Sequence, residues 1–393
     1  MKKVELFLEK YNNSKLREKI KNVSEFLDVL VQKYIIAVCN QFPVDEKCID
    51  NLLRIEDFTV EPIEIGGKGH AGALSADFDE KTFSLHYELK FSPNIDISFL
   101  ENGVPNNLAE NEIDYYKREA ARNIVVFLHE LTHAIGYIKF LKYDEVKKGY
   151  VDLSKEDVAK EDYTYYVERG GLITGRTVVH GKEMIKGTNL NNNYLYEALT
   201  EFVAHNVLLD EAFKDLQYLH LSTGEIDPYS ILWTYSPFVN IIFALNCLYD
   251  NAYAIAYFTG DTKIAGFTKD CLNVDIADIS IPINEIIHYF NDGKREKIDL
   301  GECVHLLVNG IKRFLNFIEN TLKREDVKQH IDEFRFKSLN NEIQNICHYN
   351  YYFNFIMTKC EIDDNDYEKL RQIFEKEFQQ LKPITIEKSN LNI

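Results

Sequence analysis

Phe127-Leu128-His129-Glu130-Leu131-Thr132-His133-Ala134 sets an H-E-x-x-H pattern inside an apolar run that favours a helix. Residues four apart share a helix face, so His129 and His133 can direct both imidazoles at one ion. Glu130 stands about 100° further round the helix. That puts it beside the ion rather than among its nearest ligands, where a base for a water molecule belongs. Ile124, Val125, Val126, Phe127, Leu128 and Leu131 mark the helix as buried. Two imidazoles and a carboxylate are costly to bury without partners. With 11 His in 393 residues, chance alone would place this pattern in roughly 0.03 of chains of this composition. A metal site is therefore the better reading than a pair of packed core histidines.

A second stretch answers the first. Asn193-Tyr194-Leu195-Tyr196-Glu197-Ala198-Leu199-Thr200-Glu201-Phe202-Val203-Ala204-His205 reads as helical, with Glu197 and Glu201 on one face. Like charges at this spacing repel. Alone, they would read as an exposed acidic pair. Beside a motif that lacks a third ligand, they read as acidic groups turned toward a cation.

Outward from these two stretches, residues 1–57 are predicted helical. Ser14 is placed to cap a helix that carries Leu16, Ile20, Val23, Leu27, Leu30, Val31 and Tyr34 at helical spacing. Pro43 and Asp45 end it, and a shorter helix follows near 47–54. Strands are predicted at Thr59–Ile65, Ala71–Asp77 and Thr82–Phe91. In the last of these, Phe83, Leu85, Tyr87, Leu89 and Phe91 alternate onto one face. Gly66-Gly67-Lys68-Gly69 is a turn that lacks the spacing of a phosphate loop. A small antiparallel or mixed sheet is thus expected directly before the motif helix, with a loop over Pro93–Asn107. The motif helix is expected to open at Glu110 or Asn111 and run to about Leu141. Gly136, three residues past His133, predicts a close approach by another segment. Residues 142–193 read as long and irregular, with a short helix capped by Ser154 and one or two short strands over Arg169–Gly181. Beyond 210, helices are expected near 229–258, 283–291, 301–323, 326–358 and 366–382. Pro282 is read as a break, Asp363 as part of a helix N-cap, and Pro383 as the start of a tail. The predicted class is α+β, mostly helical, in three parts: 1–57, 58–210 and 211–393.

Composition narrows the function. The formal net charge of −18 argues against nucleic acid and against a basic membrane patch. The 7 Cys are scattered without a C-x-x-C pair, which reads as reduced thiols of a cytoplasmic protein. Lys2 and Lys3 are followed by Glu5 and Glu9 rather than an apolar run, so no secretion signal is expected. No run of about 18 apolar residues predicts a membrane span.

His129-Glu130-Leu131-Thr132-His133-Ala134, taken with Glu197-Ala198-Leu199-Thr200-Glu201, resembles the gluzincin, or thermolysin-like, zinc metallopeptidases. The resemblance covers about residues 80–210. It implies a zincin-like core over 58–210 and Zn2+ held by His129, His133 and Glu197. It also implies Glu201 as a hydrogen-bonding partner of a ligating His. Tyr196 stands where the family has Asn, and Glu201 where it has Asp, so an exchange of roles between Glu197 and Glu201 stays open. The implied activity is hydrolysis of a peptide or protein substrate, with Glu130 as general base. An oxyanion donor is also implied. Tyr194 is the choice among Tyr194, Tyr166, His180 and Arg176. The strand Phe83–Phe91 resembles the edge strand that aligns substrate in such enzymes, although its pattern equally suits a buried inner strand. The alternatives are a catalytically inactive zinc-binding sensor and a toxin-like protease with a single protein substrate.

Overall fold

The computed structural model describes residues 2–65, 68–70, 72–79, 84–93, 109–170, 172–181, 183–188, 190–214, 216, 235–249, 252–260, 276–291 and 298–384. Its contacts divide the chain into two compact units. The first comprises 1–188, 200–232 and 257–260; the second comprises 189–199, 233–256 and 261–393. The class is α+β and mostly helical, as the sequence predicts.

The first unit begins with helices α1 (Lys2–Asn12), α2 (Lys15–Val23), α3 (Glu25–Gln41) and α4 (Glu46–Leu52). Ser14 caps α2 by accepting from Arg17 N–H, and Ser24 caps α3 by accepting from Leu27 N–H. Ser24 therefore splits what the spacing reads as one helix. Leu16, Ile20, Leu27, Leu30, Val31 and Tyr34 are buried, whereas Val23, beside the break, is exposed. The buried Asp28 is held by the Tyr11 hydroxyl at 2.9 Å and by Arg17 at 3.2 Å.

Next come β1 (Ile55–Val60), the hairpin of β2 (Ile63–Ile65) and β3 (Lys68–His70), and then β4 (Gly72–Asp79) and β5 (Ser84–Phe91). β1 joins β5 in parallel and β4 joins it antiparallel, so β5 is the inner strand. Of the two readings of this strand, edge and inner, the inner one holds. β1 and β4 are the two outer strands of this sheet among the described residues. Tyr87, Leu89 and Phe91 turn to the core, as their alternation predicts. Phe83 and most of the Pro93–Asn107 loop lie outside the described residues.

The motif helix is α5 (Glu110–Ile135). Glu112 accepts the N–H of Ala109 at its start. Phe127, fully buried, sets its ring 5.3 Å from Phe91 and 6.1 Å from Phe58, and so seats the helix on the sheet. The helix stops six residues short of the expected Leu141. Gly136 takes an extended conformation (φ −60°, ψ 153°), and Ile138–Asp144 forms strand β6. A Cβ at Gly136 would lie 2.9 Å from the ring of Tyr257. This is the close approach that the glycine predicts.

Residues 138–188 are not irregular. They form a five-stranded antiparallel sheet in the order β10-β9-β8-β6-β7, where β7 is Gly149–Asp152, β8 Asp162–Arg169, β9 Leu172–His180 and β10 Glu183–Thr188. The short helix α6 (Lys155–Val158) interrupts it, capped by Ser154 as predicted. The sheet is hard to read from the sequence because it buries little. Only Leu153, Tyr165 and Val179 form its compact cluster, and β10 is exposed throughout. With so few buried apolar positions, and polar Thr174, Thr177 and Glu168 among the buried ones, the period-2 pattern gives little hydrophobic signal. Helix α7 (Leu190–Leu208) follows, and the division between the units falls within it, between Leu199 and Thr200, although the helix itself is unbroken.

The second unit is helical: α8 (Ser236–Tyr249), α9 (Ala252–Thr259, whose last residues return to the first unit), α10 (Ile276–Asn291), α11 (Leu300–Leu322), α12 (Glu325–Lys328), α13 (Glu333–Ile346), α14 (Tyr349–Lys359) and α15 (Asp364–Phe378). Asp363 caps α15, as predicted. Two expectations are corrected. Pro282 does not break the chain, because α10 runs through it. The run read as 326–358 is three helices, restarted by the Asp332 and His348 caps. At Pro282 the helix loses one N–H to the Asp278 carbonyl. Gly310 lets α11 pack on that carbonyl, 2.5 Å from where a Cβ would stand.

Two outcomes follow from this packing. Gly136→Ala adds a methyl against the buried Tyr257 ring and is expected to cost about 1–3 kcal/mol in urea unfolding. Its backbone angles are open to any residue, so the cost is steric. Glu342 is buried, and burial lifts its carboxyl from 4.5 to about 7. The folded state then holds a proton that the unfolded state releases, so stability is lost as pH rises from about 4.5 through 7. In Glu342→Gln, unfolding midpoints measured across that window are expected to lose this component.

Candidate metal centre

The last two turns of α5 carry His129 and His133, whose ring centroids lie 4.5 Å apart at 86°. Both are half-buried at the end of a helix whose Phe127, Leu128, Leu131, Ala134 and Ile135 are fully buried. The apolar residues hold the helix, and the imidazoles occupy the one flank that reaches solvent. Helix α7 brings Glu197, also half-buried. One potential ligand atom each from His129, His133 and Glu197 all lie within 4.8 Å of one another. This is the only such group of His, Cys, Asp and Glu among the described residues. Two imidazoles and one carboxylate form a donor set suited to a borderline divalent metal, with positions left for water.

Of the two acidic residues read from the sequence, Glu197 is the one in this group. Glu201 lies one turn on and is buried at 4 % exposure. His205, one turn further on the same face, is 2 % exposed. Burial, and after it the neighbouring His129, holds the His205 imidazole down to about 3, so that it is neutral. The face that carries Glu197, Glu201 and His205 is thus turned inward along its length, not out to solvent as an acidic surface pair would be.

Glu130 is 8 % exposed. Gly72, the first residue of β4, lies directly against it. A Cβ there would stand 2.8 Å from Glu130 Cγ and 2.9 Å from Oε1. A side chain at position 72 would displace the carboxylate, so the glycine lets the edge strand lie beside it.

His133 has a further set of contacts. Its Nδ1 is 3.4 Å from Thr200 Oγ1. Thr200 Oγ1 is 3.1 Å from the Tyr257 hydroxyl, which donates to the Thr132 carbonyl at 2.9 Å. The Thr132 hydroxyl donates to Leu128 O at 2.7 Å and accepts from Tyr34 at 3.0 Å. Thr132 and Thr200 are fully buried.

The other candidates have surroundings of their own. Tyr194 stacks on Phe238 at 5.3 Å and meets Phe355 edge-on at 5.4 Å. Burial raises its phenol above the ordinary range. Tyr166 sits 4.9 Å from Tyr150 and under Arg176 on the five-stranded sheet. His180 pairs with Asp162 at 2.6 Å on an exposed edge of that sheet. Sequence reasoning missed Gly72, Thr200, Tyr257 and His205. Spacing could have found His205, four residues after Glu201, and Thr200, one turn after Tyr196. Nothing local marks Tyr257, which stands in a run of apolar and aromatic residues.

The chain is expected to bind about one divalent ion, read by mass spectrometry and chelator competition. His133→Ala and Glu197→Ala should each weaken binding by more than about 100-fold, beyond the cost of losing an outer partner. Acid should also weaken it, because both imidazoles bind only when neutral. Retention of the ion in Glu197→Ala with its loss in Glu201→Ala would reverse the two roles. Comparison with protein-family models, with curated proteins and with solved structures finds no match for this chain, so the geometry carries the functional argument.

Proposed function

We propose that the chain is a zinc-dependent peptidase, with His129, His133 and Glu197 as the metal ligands and Glu130 as general base. The observation that carries this reading is the convergence of three donor atoms within 4.8 Å beside a buried carboxylate that is not one of them. Zinc at this site would lower the pKa of a water and polarise a substrate carbonyl.

The protein's own groups account for the rest. Glu130 takes the proton of the attacking water and passes it to the leaving amine. Its low exposure shields the carboxylate from bulk water. Among the described residues β4 is one of the two outer strands of its sheet, and Gly72 brings it against Glu130. An extended peptide added along β4 would pass the base with its backbone aligned. Tyr194 is kept as the candidate donor to the oxyanion.

The test is Glu130→Gln. Hydrolysis of a peptide library should fall by about 10²–10⁴-fold, with zinc content unchanged. Zinc bound at full occupancy, with no Glu130-dependent cleavage of any peptide or protein offered, would leave a metal-binding protein and remove the enzyme.

A further inference from the structure

We infer that strand β10 pairs antiparallel with the same strand of a second copy of this chain, about a two-fold axis at Ile185. The surface lies on the five-stranded sheet and is independent of the metal reading.

Among the described residues β10 ends this sheet, and all of its residues are exposed. Ile185, at its centre, is 65 % exposed, and Met184 beside it is 46 % exposed. An exposed edge strand offers its backbone N–H and C=O groups to another strand. The charges on the strand select the register. Residues opposed across an antiparallel pair share a face of the sheet. A two-fold axis normal to the sheet keeps each face on its own side, so one residue must stand opposite its own copy. Lys186 on the axis would oppose two ammonium groups directly, which is destabilising. Met184 on the axis would set Ile185 against the partner's Glu183 and leave Lys186, Gly187 and Thr188 beyond the overlap. Ile185 on the axis opposes Ile185 of the partner subunit. It also sets Met184 beside the partner's Lys186, whose methylenes can cover the thioether, and Glu183 beside the partner's Gly187.

In this register the edge carries the complement of its own charges. Gly187 stands opposite Arg176 of β9. Arg176, Gly187 and the partner's Glu183 therefore fall in one row on one face. Gly187 has no side chain, and a Cβ there would meet nothing closer than the Arg176 carbonyl oxygen at 3.8 Å. The row is thus open between Arg176, which is exposed, and the partner's Glu183. Their backbones are two strand spacings apart, roughly 10 Å, a span that an arginine and a glutamate cover together. By symmetry the pair forms twice. Val178 stands opposite Ile185, so on the same face Val178 and Ile185 meet the partner's Ile185 and the partner's Val178 in one apolar row. The net charge of −18 on each chain opposes association, and one pair of short strands makes a small interface. The dimer is therefore expected to form reversibly with concentration.

The experiment follows the full chain by sedimentation velocity at increasing concentration, with the melting temperature as a check that each variant folds. The wild type is expected to pass from monomer to dimer. Arg176→Glu and Glu183→Arg each bring like charges together twice, and each should weaken the dimer by about 10-fold or more. An equal mixture of these two variants should dimerise again, because every mixed pair then sets Glu against Arg at both ends. Opposed Cα atoms in such a ladder lie about 4.5–5.5 Å apart, within the range of a disulfide. Ile185→Cys should therefore give a covalent dimer on oxidation, above the wild-type background. Thr188→Cys, three residues from the axis, should not. A wild type that stays monomeric overturns the inference and leaves this edge to a strand of another protein. A dimer that neither charge reversal weakens, or that the mixture does not restore, overturns it by placing the contact on another surface. In each case the metal and peptidase readings are untouched.

Discussion

A helix that carries two imidazoles and a carboxylate on an otherwise apolar surface faces a conflict. Phe127, Leu128, Leu131 and Ile135 of α5 require burial, and Glu130, His129 and His133 cannot be buried without partners. The first unit is arranged to meet both demands. The small sheet takes the apolar flank through Phe58, Phe91 and Phe127. The part of helix α7 from Thr200 on takes the polar flank with Glu201 and His205, and Tyr257 closes the end where the helix would otherwise continue.

Small residues decide how close these elements come. Gly72 lets β4 lie on Glu130, and Gly136 lets Tyr257 lie on the end of α5. In both places a single methyl group would meet a side chain at under 3.0 Å. A site of this kind depends on distances set to a few tenths of an ångström, and glycine is how the backbone supplies them. The hydroxyls of Tyr34, Thr132, Thr200 and Tyr257 add direction to the distances. They link the two helices through buried hydrogen bonds. Among the described residues, no helix is long and apolar enough to cross a membrane.

Much of this was legible in the chain. H-E-x-x-H at i, i+4 specifies a shared helix face whatever the fold, and Glu197 with Glu201 does the same on the second helix. The caps at Ser14, Ser154 and Asp363 act through residues adjacent in sequence, so they read directly. Gly136 announced a contact, though not with what. Less was legible where the cause was remote. Helix α5 ends at Gly136 rather than near Leu141 because a ring 121 residues away in sequence occupies the next turn. The five-stranded sheet buries too little to write an alternating pattern. Pro282 looks like a break, yet α10 continues through it, with Gly310 of α11 packed close to the Asp278 carbonyl.

Sequence alone determined which residues could hold a metal and on which faces, because helical periodicity is local and depends only on spacing. It also determined the class, mostly helical with strands ahead of the motif, through the change of period from 3.6 to 2. Only the tertiary structure decided that His129, His133 and Glu197 meet, that β4 rather than β5 is the edge beside Glu130, and that Tyr257 reaches His133 through Thr200. Each of these is a contact between segments far apart in the chain. Such contacts are set by packing volume and by the direction of hydrogen bonds, neither of which is encoded in the spacing of a single segment.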